Sequence, residues 1–151
     1  MTELALFYDS QILLCKISII VKQKAMEKRI VYTENAPAPI GPYSQAVWAG
    51  DLLFVSGQIP INPKSGELVT QDIEAETRQV LDNVDAILKI AGLGFANVIK
   101  STIFLKDMND FAKVNEVYGS YFSSDFPARE TVQVAKLPKD VNVEISVVAA
   151  K

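Results

Sequence analysis

Alternating apolar and polar positions from residue 26 onward predict six β-strands, and two further segments repeat with the period of a helix. The predicted strands span residues 29–33, 45–49, 52–57, 97–105, 129–135 and 141–149. Gly50 and Asp51 lie between the second and third strands, where they predict a hairpin turn. The order β-β-β-α-β-α-β-β predicts an α+β domain in which two helices cover one face of a mixed β-sheet.

Both helices are predicted from their ends and their apolar stripes. The first opens at Asp72, a good N-cap residue, and closes at Gly92. Its stripe consists of Ile73, Val80, Leu81, Val84 and Leu88. The second helix begins near Asn109 or Asp110, and its stripe consists of Phe111, Val114, Tyr118 and Phe122. In the strand between the helices, we expect one buried face to carry Ile99, Ile103 and Leu105.

The last strand has two faces of different character. One face, which should meet the helices, consists of Val141, Val143, Ile145, Val147 and Ala149. The opposite face is only partly polar and consists of Asn142, Glu144, Ser146, Val148 and Ala150. Small apolar residues around one acid are poorly suited to open water, so this face predicts a homo-oligomer with Glu144 in its interface.

Residues 1–25 differ from the rest of the chain and are interpreted as an extension outside a domain of residues 26–151. Their apolar run, residues 12–21, is too short for a membrane span and contains Lys16. Glu3 and Asp9 precede the run, unlike the basic start of a signal peptide, and no arginine is present as in a mitochondrial presequence. Two interpretations stay open, sequence upstream of a start at Met26 or an added β-strand.

Composition removes several classes of chemistry. The 151 residues include no histidine and one cysteine, Cys15, so neither a Ser-His-Asp nor a Cys-His nucleophile can form, nor a zinc site built on His or Cys clusters. The chain cannot form an internal disulfide, which fits a reducing compartment; we expect the cytoplasm, with mitochondria as the second choice. A net charge of −3 disfavours a nucleic-acid partner.

Arg129 and Glu144 are the candidate catalytic residues. Arg129 begins the fifth predicted strand, where a guanidinium could clamp a carboxylate through two hydrogen bonds, or could form a structural salt bridge with Glu144 or Glu130. Glu144 lies between Val143 and Ile145, so partial burial should raise its pKa and favour acid–base work. If the last two strands pair, both groups could face one site for a small anionic molecule.

Five further residues are candidate substrate contacts, and each also has an ordinary structural explanation. Tyr43 follows a rigid Pro-Gly loop and either lines a pocket or packs under the loop. Ser56 and Gly57 end a strand and offer a hydroxyl and a close backbone approach, or simply a turn. Asn115 is a polar residue on the second helix's apolar face that binds substrate or neighbouring backbone. Thr131 shares a strand face with Arg129 and holds a water or has no special role.

Four motifs occur in the order and spacing of a known family. They are Asn-Ala-Pro-Ala-Pro-Ile-Gly-Pro-Tyr-Ser-Gln-Ala at 35–46, Val-Ser-Gly-Gln-Ile-Pro at 55–60, the segment 111–115, and Pro-Ala-Arg at 127–129 followed by Glu144. With these motifs the chain resembles the reactive intermediate deaminase A family, RidA, also called YjgF or L-PSP. The resemblance covers about residues 28–151.

The resemblance implies a fold, an assembly and an activity. It implies a chorismate-mutase-like domain that forms a homotrimer with sites at the subunit interfaces, and no metal or organic cofactor. The implied reaction is hydrolysis of enamines and imines, such as 2-aminoacrylate released by pyridoxal-phosphate enzymes, to 2-keto acids and ammonia. By resemblance, Arg129 binds the substrate carboxylate and Glu144 positions the attacking water. Tyr43, Ser56, Gly57 and Asn115 line the pocket.

One residue departs from the family pattern, and two rival functions stay open. Thr131 occupies a position where many members have cysteine; backbone contacts there suit threonine equally, but thiol-dependent behaviour is not expected. The first rival is an endoribonuclease acting on single-stranded RNA, which the acidic balance and the missing histidine count against. The second is a non-enzymatic regulatory trimer that senses a keto acid through Arg129.

Overall fold

The computed structural model describes residues 28–151, and the predicted extension 1–25 lies outside them. The six strands are β1 Arg29–Val31, β2 Ala46–Ala49, β3 Leu52–Gln58, β4 Val98–Leu105, β5 Ala128–Gln133 and β6 Val143–Ala150. The two helices are α1 Ile73–Ile90 and α2 Phe111–Gly119. The predicted order of elements and the α+β class are confirmed. In residues 28–151 no helix is both long and apolar enough to cross a membrane.

All six strands form one mixed sheet in the order β1-β2-β3-β6-β4-β5. Every neighbouring pair is antiparallel except β4 and β5, which run parallel because α2 forms the crossover between them. β6 inserts between β3 and β4, so β4 separates it from β5. The pairing of the last two strands, which would have brought Arg129 and Glu144 together, is therefore wrong.

Helix α1 is built as its sequence predicts. The Asp72 carboxylate accepts a hydrogen bond of 2.7 Å from the Ala75 backbone N–H, which satisfies a free donor at the helix N-terminus. After the helix, Gly92 has φ +77°, a conformation that favours glycine. The predicted apolar stripe is buried along its whole length, where it packs on the sheet.

Two details of the predicted core are wrong. Helix α2 begins only at Phe111, after a 3-10 turn, so Phe111 lies in the first turn and is exposed while Val114, Val117 and Tyr118 are buried. In β4, the register against β6 shifts between residues 98 and 100, so Val98 is buried and Ile99 is exposed. An irregular turn and a strand irregularity each change which residues face the core, and neither is visible in a periodic pattern.

The sheet has a helix face and an open face. Along β6, Val143, Ile145, Val147 and Ala149 are buried in the core with the helices, as expected. Val141 precedes β6 and is buried in a separate cluster. The open face carries Glu144 on β6 and exposed apolar side chains, among them Ile30, Leu52, Phe54 and Val132. Cover by another subunit stays a prediction, and the apolar character of this face is consistent with it.

Candidate active site

A cavity of about 320 Å³ lies on the open face of the sheet, and we call it the Glu144 pocket. Its lining consists of Ile40, Tyr43, Ser56, Gly57, Ile59, Pro138 and Glu144. Four candidate residues separated by up to 101 positions in the chain thus meet here, because β3 and β6 are neighbours and the loop before β2 folds over them. The pocket is mostly apolar, with a few polar groups that could orient a small ligand.

A β-bulge fits Gly57 against Glu144. The register of β3 against β6 shifts by one residue between Val55 and Gln58, so the extra residue falls at Ser56 and Gly57. A Cβ atom added to Gly57 would lie 2.7 Å from the Glu144 carboxyl carbon, far inside van der Waals contact. The Glu144 side chain therefore lies directly on the Gly57 backbone, and only glycine leaves room for it.

Glu144 is a carboxyl group without a charged partner among residues 28–151. It is half-buried, and this burial raises its pKa above the ordinary carboxyl value. Within residues 28–151 no lysine or arginine lies within ion-pair distance of it. A carboxyl in this environment holds its proton to a higher pH than an ordinary carboxyl and can both donate and accept one, which is the property of a general acid–base.

The two hydroxyl groups of the pocket are oriented by backbone contacts. Ser56 Oγ donates a hydrogen bond of 2.7 Å to the Ser44 carbonyl, so its lone pairs remain to accept from a ligand. Tyr43 Oη accepts from the Ile40 N–H at 3.3 Å, which leaves its own proton to donate. The pocket therefore offers one fixed acceptor and one donor beside the Glu144 carboxyl.

Three buried polar side chains that the sequence reasoning missed hold the walls of this pocket. Gln45 accepts from Thr33 N–H and donates to the Pro37 carbonyl at 2.8 Å, which fixes the loop before Tyr43. Asn83 donates to the carbonyls of Ile59 and Ile61.

Glu76 accepts from both the backbone and the side-chain amide of Asn142, two residues before Glu144. Glu76 and Asn83 could have been found from the sequence, because they are polar residues seven positions apart beside the apolar stripe of α1.

A second cavity, of about 410 Å³, lies on the other side of the molecule, and we call it the Arg129 pocket. Its lining consists of Asn115, Tyr118, Gly119, Phe126, Pro127 and Arg129. Asn115 is exposed here at the surface of α2, so its predicted place on the apolar face of that helix is wrong, although it does line a pocket. The Arg129 side chain is exposed, and its guanidinium lies over the Tyr118 ring, 4.9 Å from the ring centroid.

Arg129 and Glu144 cannot form one site within a single chain. Arg129 pairs in register with Ser101 of β4, which is buried on the helix face, whereas Glu144 pairs with Phe104 on the open face. Paired residues point to the same face, so the two charged groups lie on opposite faces with β4 between them. The structural salt bridge between them is therefore excluded in one chain, and Glu130 instead pairs with Lys100 and accepts from Thr102 at 2.5 Å.

Thr131 lies on the same face of β5 as Arg129, as expected, but its hydroxyl is not exposed to the pocket. Its Oγ1 is buried and is the one such side-chain atom in residues 28–151 without a hydrogen-bond partner. The described residues also contain no group of three or more His, Cys, Asp or Glu side chains that could hold a metal ion. The described part of the chain thus contains two separate pockets, one with the Glu144 carboxyl and one with the Arg129 guanidinium.

Comparison with known proteins identifies one family that this chain resembles over most of its length. The family profile described as Endoribonuclease L-PSP matches residues 33–151. A RutC family protein from Pyrococcus horikoshii is 60% identical over 124 residues, 82% of this chain and 98% of that protein. The 2-iminobutanoate/2-iminopropanoate deaminase of Escherichia coli is 52% identical over 126 residues, 82% of this chain and 98% of that protein. The crystal structure of E. coli TdcF with bound serine has a TM-score of 0.78 and 46% identity, and covers 82% of this chain and 98% of that one.

Proposed function

The chain belongs to the L-PSP family, also called RidA or YjgF, and on this premise we propose that it is a 2-iminobutanoate/2-iminopropanoate deaminase. It hydrolyses reactive enamines and imines, such as 2-aminoacrylate, to 2-keto acids and ammonia. The name of the E. coli relative, a 2-iminobutanoate/2-iminopropanoate deaminase, supports this choice of reaction. The serine bound to TdcF is a small amino acid similar in size to 2-aminoacrylate.

The observation that carries the proposal is the Glu144 carboxyl resting on Gly57. Burying half of an acid that has no salt-bridge partner in the described residues costs free energy, and its raised pKa suits a group that donates and accepts protons. A structural acid in the same place would be expected to have a cation or several N–H donors against it. The carboxyl is therefore better explained by chemistry than by stability.

The complete site is composed of two copies of the chain. The Glu144 pocket of one copy meets the Arg129 pocket of the next, in a chorismate-mutase-like homotrimer with three such interfaces. Two features support this arrangement: the two pockets lie on opposite faces of one sheet, and the open face that carries the Glu144 pocket also carries exposed apolar side chains. In this closed trimer, the open face of each chain's sheet contacts the β5 edge of the next chain's sheet.

Each step of the reaction has a residue suited to it. Arg129 holds the substrate carboxylate through paired N–H donors. Protonated Glu144 gives its proton to the terminal carbon of 2-aminoacrylate, which becomes 2-iminopropanoate. Ionised Glu144 then takes a proton from water as the water oxygen bonds to the C=N carbon. Glu144, protonated again by the water proton, gives that proton to the nitrogen of the resulting carbinolamine. The C–N bond then breaks and ammonia leaves, while the carbinolamine hydroxyl returns its proton to Glu144 and becomes the carbonyl of the 2-keto acid.

The hydroxyl groups of Ser56 and Tyr43 make the remaining contacts to the substrate and the attacking water. Because the Ser56 proton is committed to the Ser44 carbonyl, Ser56 Oγ accepts an N–H of the imine or enamine. Tyr43 donates its free proton to the attacking water or the forming carbonyl oxygen. The substrate is already reactive in water, so binding it in one orientation beside a proton-transferring acid is enough for catalysis.

A coupled assay tests the proposal. A serine dehydratase generates 2-aminoacrylate, and its disappearance is followed with wild-type protein, with Arg129→Ala, and with Arg78→Ala, which removes an exposed arginine on α1. We expect wild type and Arg78→Ala to accelerate the loss equally, and Arg129→Ala to lower kcat/KM by about 100-fold, because the carboxylate is no longer held for attack.

Two outcomes would contradict the proposal. One is clearance by Arg129→Ala as fast as by wild type, which would overturn the mechanism in which Arg129 holds the substrate carboxylate. The other is tight binding of a keto acid by wild type without any turnover, which favours the sensor. The nuclease is tested by incubating single-stranded RNA with wild-type protein and with Glu144→Ala. Cleavage by wild type that survives stringent purification but is lost in Glu144→Ala supports the nuclease instead.

Thr131→Val is expected to stabilise the protein and leave catalysis almost unchanged. Valine keeps the shape of threonine and removes a buried hydroxyl without a partner, so we expect the free energy of unfolding to rise by roughly 1 kcal/mol. KM should stay within about twofold of wild type, because the Thr131 hydroxyl is buried and Thr131 lines neither pocket. Urea unfolding and steady-state kinetics measure the two effects. A several-fold higher KM would mean that the hydroxyl itself contacts the substrate.

A further inference from the structure

The Arg129 side chain is held by aromatic rings rather than by an acid. Its guanidinium carbon lies 4.9 Å from the Tyr118 ring centroid and 5.9 Å from that of Phe111. Within residues 28–151 no carboxylate lies within ion-pair distance of it, and its strand neighbour Glu130 pairs with Lys100 on the opposite face. A ring face attracts the cation without using its in-plane N–H donors, so all five remain free for an anion.

Tyr118 is itself firmly anchored. Its ring is 3% exposed, and its hydroxyl donates a hydrogen bond of 2.9 Å to Ser101 Oγ. Ser101 is the residue of β4 that pairs in register with Arg129, so this bond ties the ring to the sheet directly beside the arginine. The Phe122 ring packs against Tyr118 with centroids 4.8 Å apart. Burial and the contact with Phe122 hold the ring in place, and the hydroxyl bond adds stability.

We infer that Tyr118 is a positioning residue that sets the Arg129 guanidinium at the angle needed to clamp the substrate carboxylate. The inference rests on the proposed function only in assigning Arg129 to a carboxylate. An exposed arginine on an edge strand would otherwise sample many rotamers, and fixing one before the ligand arrives lowers the cost of binding. Phe111 is farther away and exposed, so it contributes less.

Ring removal and loss of the hydroxyl anchor are tested separately. Tyr118→Met removes the aromatic ring but fills its space, and Tyr118→Leu is a second variant without the ring. Tyr118→Phe keeps the ring and removes only the hydroxyl. Ser101→Ala removes only the group that accepts the hydrogen bond from that hydroxyl. KM and kcat are measured for the imine formed from 2-aminoacrylate, and the Kd of pyruvate is measured by calorimetry. Circular dichroism and melting temperature report folding.

The ring-free variants are expected to raise KM and the pyruvate Kd by about tenfold, a value between those of an exposed and a desolvated cation–aromatic contact, with kcat changed less. Tyr118→Phe should stay within about twofold of wild type. Ser101→Ala should lower the melting temperature with little change in KM. In an Arg129→Ala background, losing the ring should have no additional effect on pyruvate binding, because the ring acts only through the arginine.

Results that differ from these expectations overturn different claims about Tyr118 and Arg129. Wild-type KM and Kd in a folded ring-free variant overturn the positioning role alone, as does an equal rise in KM in Ser101→Ala, which would trace the effect to stability. An added loss in the Arg129→Ala background also overturns it. Pyruvate binding that Arg129→Ala leaves intact overturns the carboxylate clamp and the proposed function together. Since binding is measured without turnover, an inactive wild-type protein still tests the inference.

Discussion

Gly57→Ala is expected to lower kcat/KM for 2-imino acids by about 100-fold or more while leaving the fold intact. The new methyl group would occupy the space of the Glu144 carboxyl, with its carbon 2.7 Å from the carboxyl carbon. The carboxyl is the free end of a side chain, so it can rotate away and spare the backbone. Its departure removes the acid that moves protons in the proposed reaction, and steady-state kinetics with the coupled assay measure the loss.

Gly94→Ala is the matched control for this substitution. Gly94 has an extended φ of −146°, and a Cβ there meets nothing within 4 Å, so both activity and melting temperature should match wild type. Gly57→Ala should melt within a few degrees of the same temperature. Wild-type activity in Gly57→Ala would mean that catalysis does not depend on where Glu144 lies, and the acid–base role would have to be abandoned.

Mixing two inactive variants is expected to restore activity. Arg129→Ala lacks one half-site and Glu144→Gln lacks the other, so each alone should be inactive. When equal amounts are unfolded in urea and refolded together, about a quarter of the sites in a closed oligomer combine an intact Glu144 pocket with an intact Arg129 pocket. The expected rate is therefore about a quarter of the wild-type rate per site.

A second mixture separates this explanation from accidental recovery. Glu144→Gln and Gly57→Ala both damage the Glu144 pocket, so their mixture contains no intact copy of that pocket and should stay inactive. If the Arg129→Ala and Glu144→Gln mixture also stays inactive although mass spectrometry finds mixed oligomers, the site is not composed of two chains. Arg129 would then need another role.

Much of the fold could be predicted from the sequence because it depends on short-range rules. Asp72 caps α1 and Gly92 ends it through backbone geometry that involves only their neighbours. The alternation in β6 predicted which residues pack on the helices, because side chains alternate strictly along a strand. The half-burial of Glu144 and its raised pKa were predicted on the same basis, from Val143 and Ile145 beside it.

The candidate residues were predicted more accurately than their grouping. Tyr43, Ser56, Gly57 and Glu144 line one cavity, and Asn115 and Arg129 line another. A residue type suited to proton transfer or anion binding can be read from the chain, but the partner it meets depends on which strands become neighbours. Tyr118 was read as core packing, because nothing in the helical pattern indicates that an arginine from β5 will lie on its ring.

The sequence by itself determined the elements, the α+β class, the helix face of β6 and the chemistry that the chain can and cannot perform without histidine. Only the tertiary structure decided that β4 separates β5 from β6, that Arg129 and Glu144 lie on opposite faces, and that a bulge brings Gly57 against Glu144. Local periodicity specifies the faces of a strand but not its neighbours, since strand order follows from contacts between residues distant in sequence.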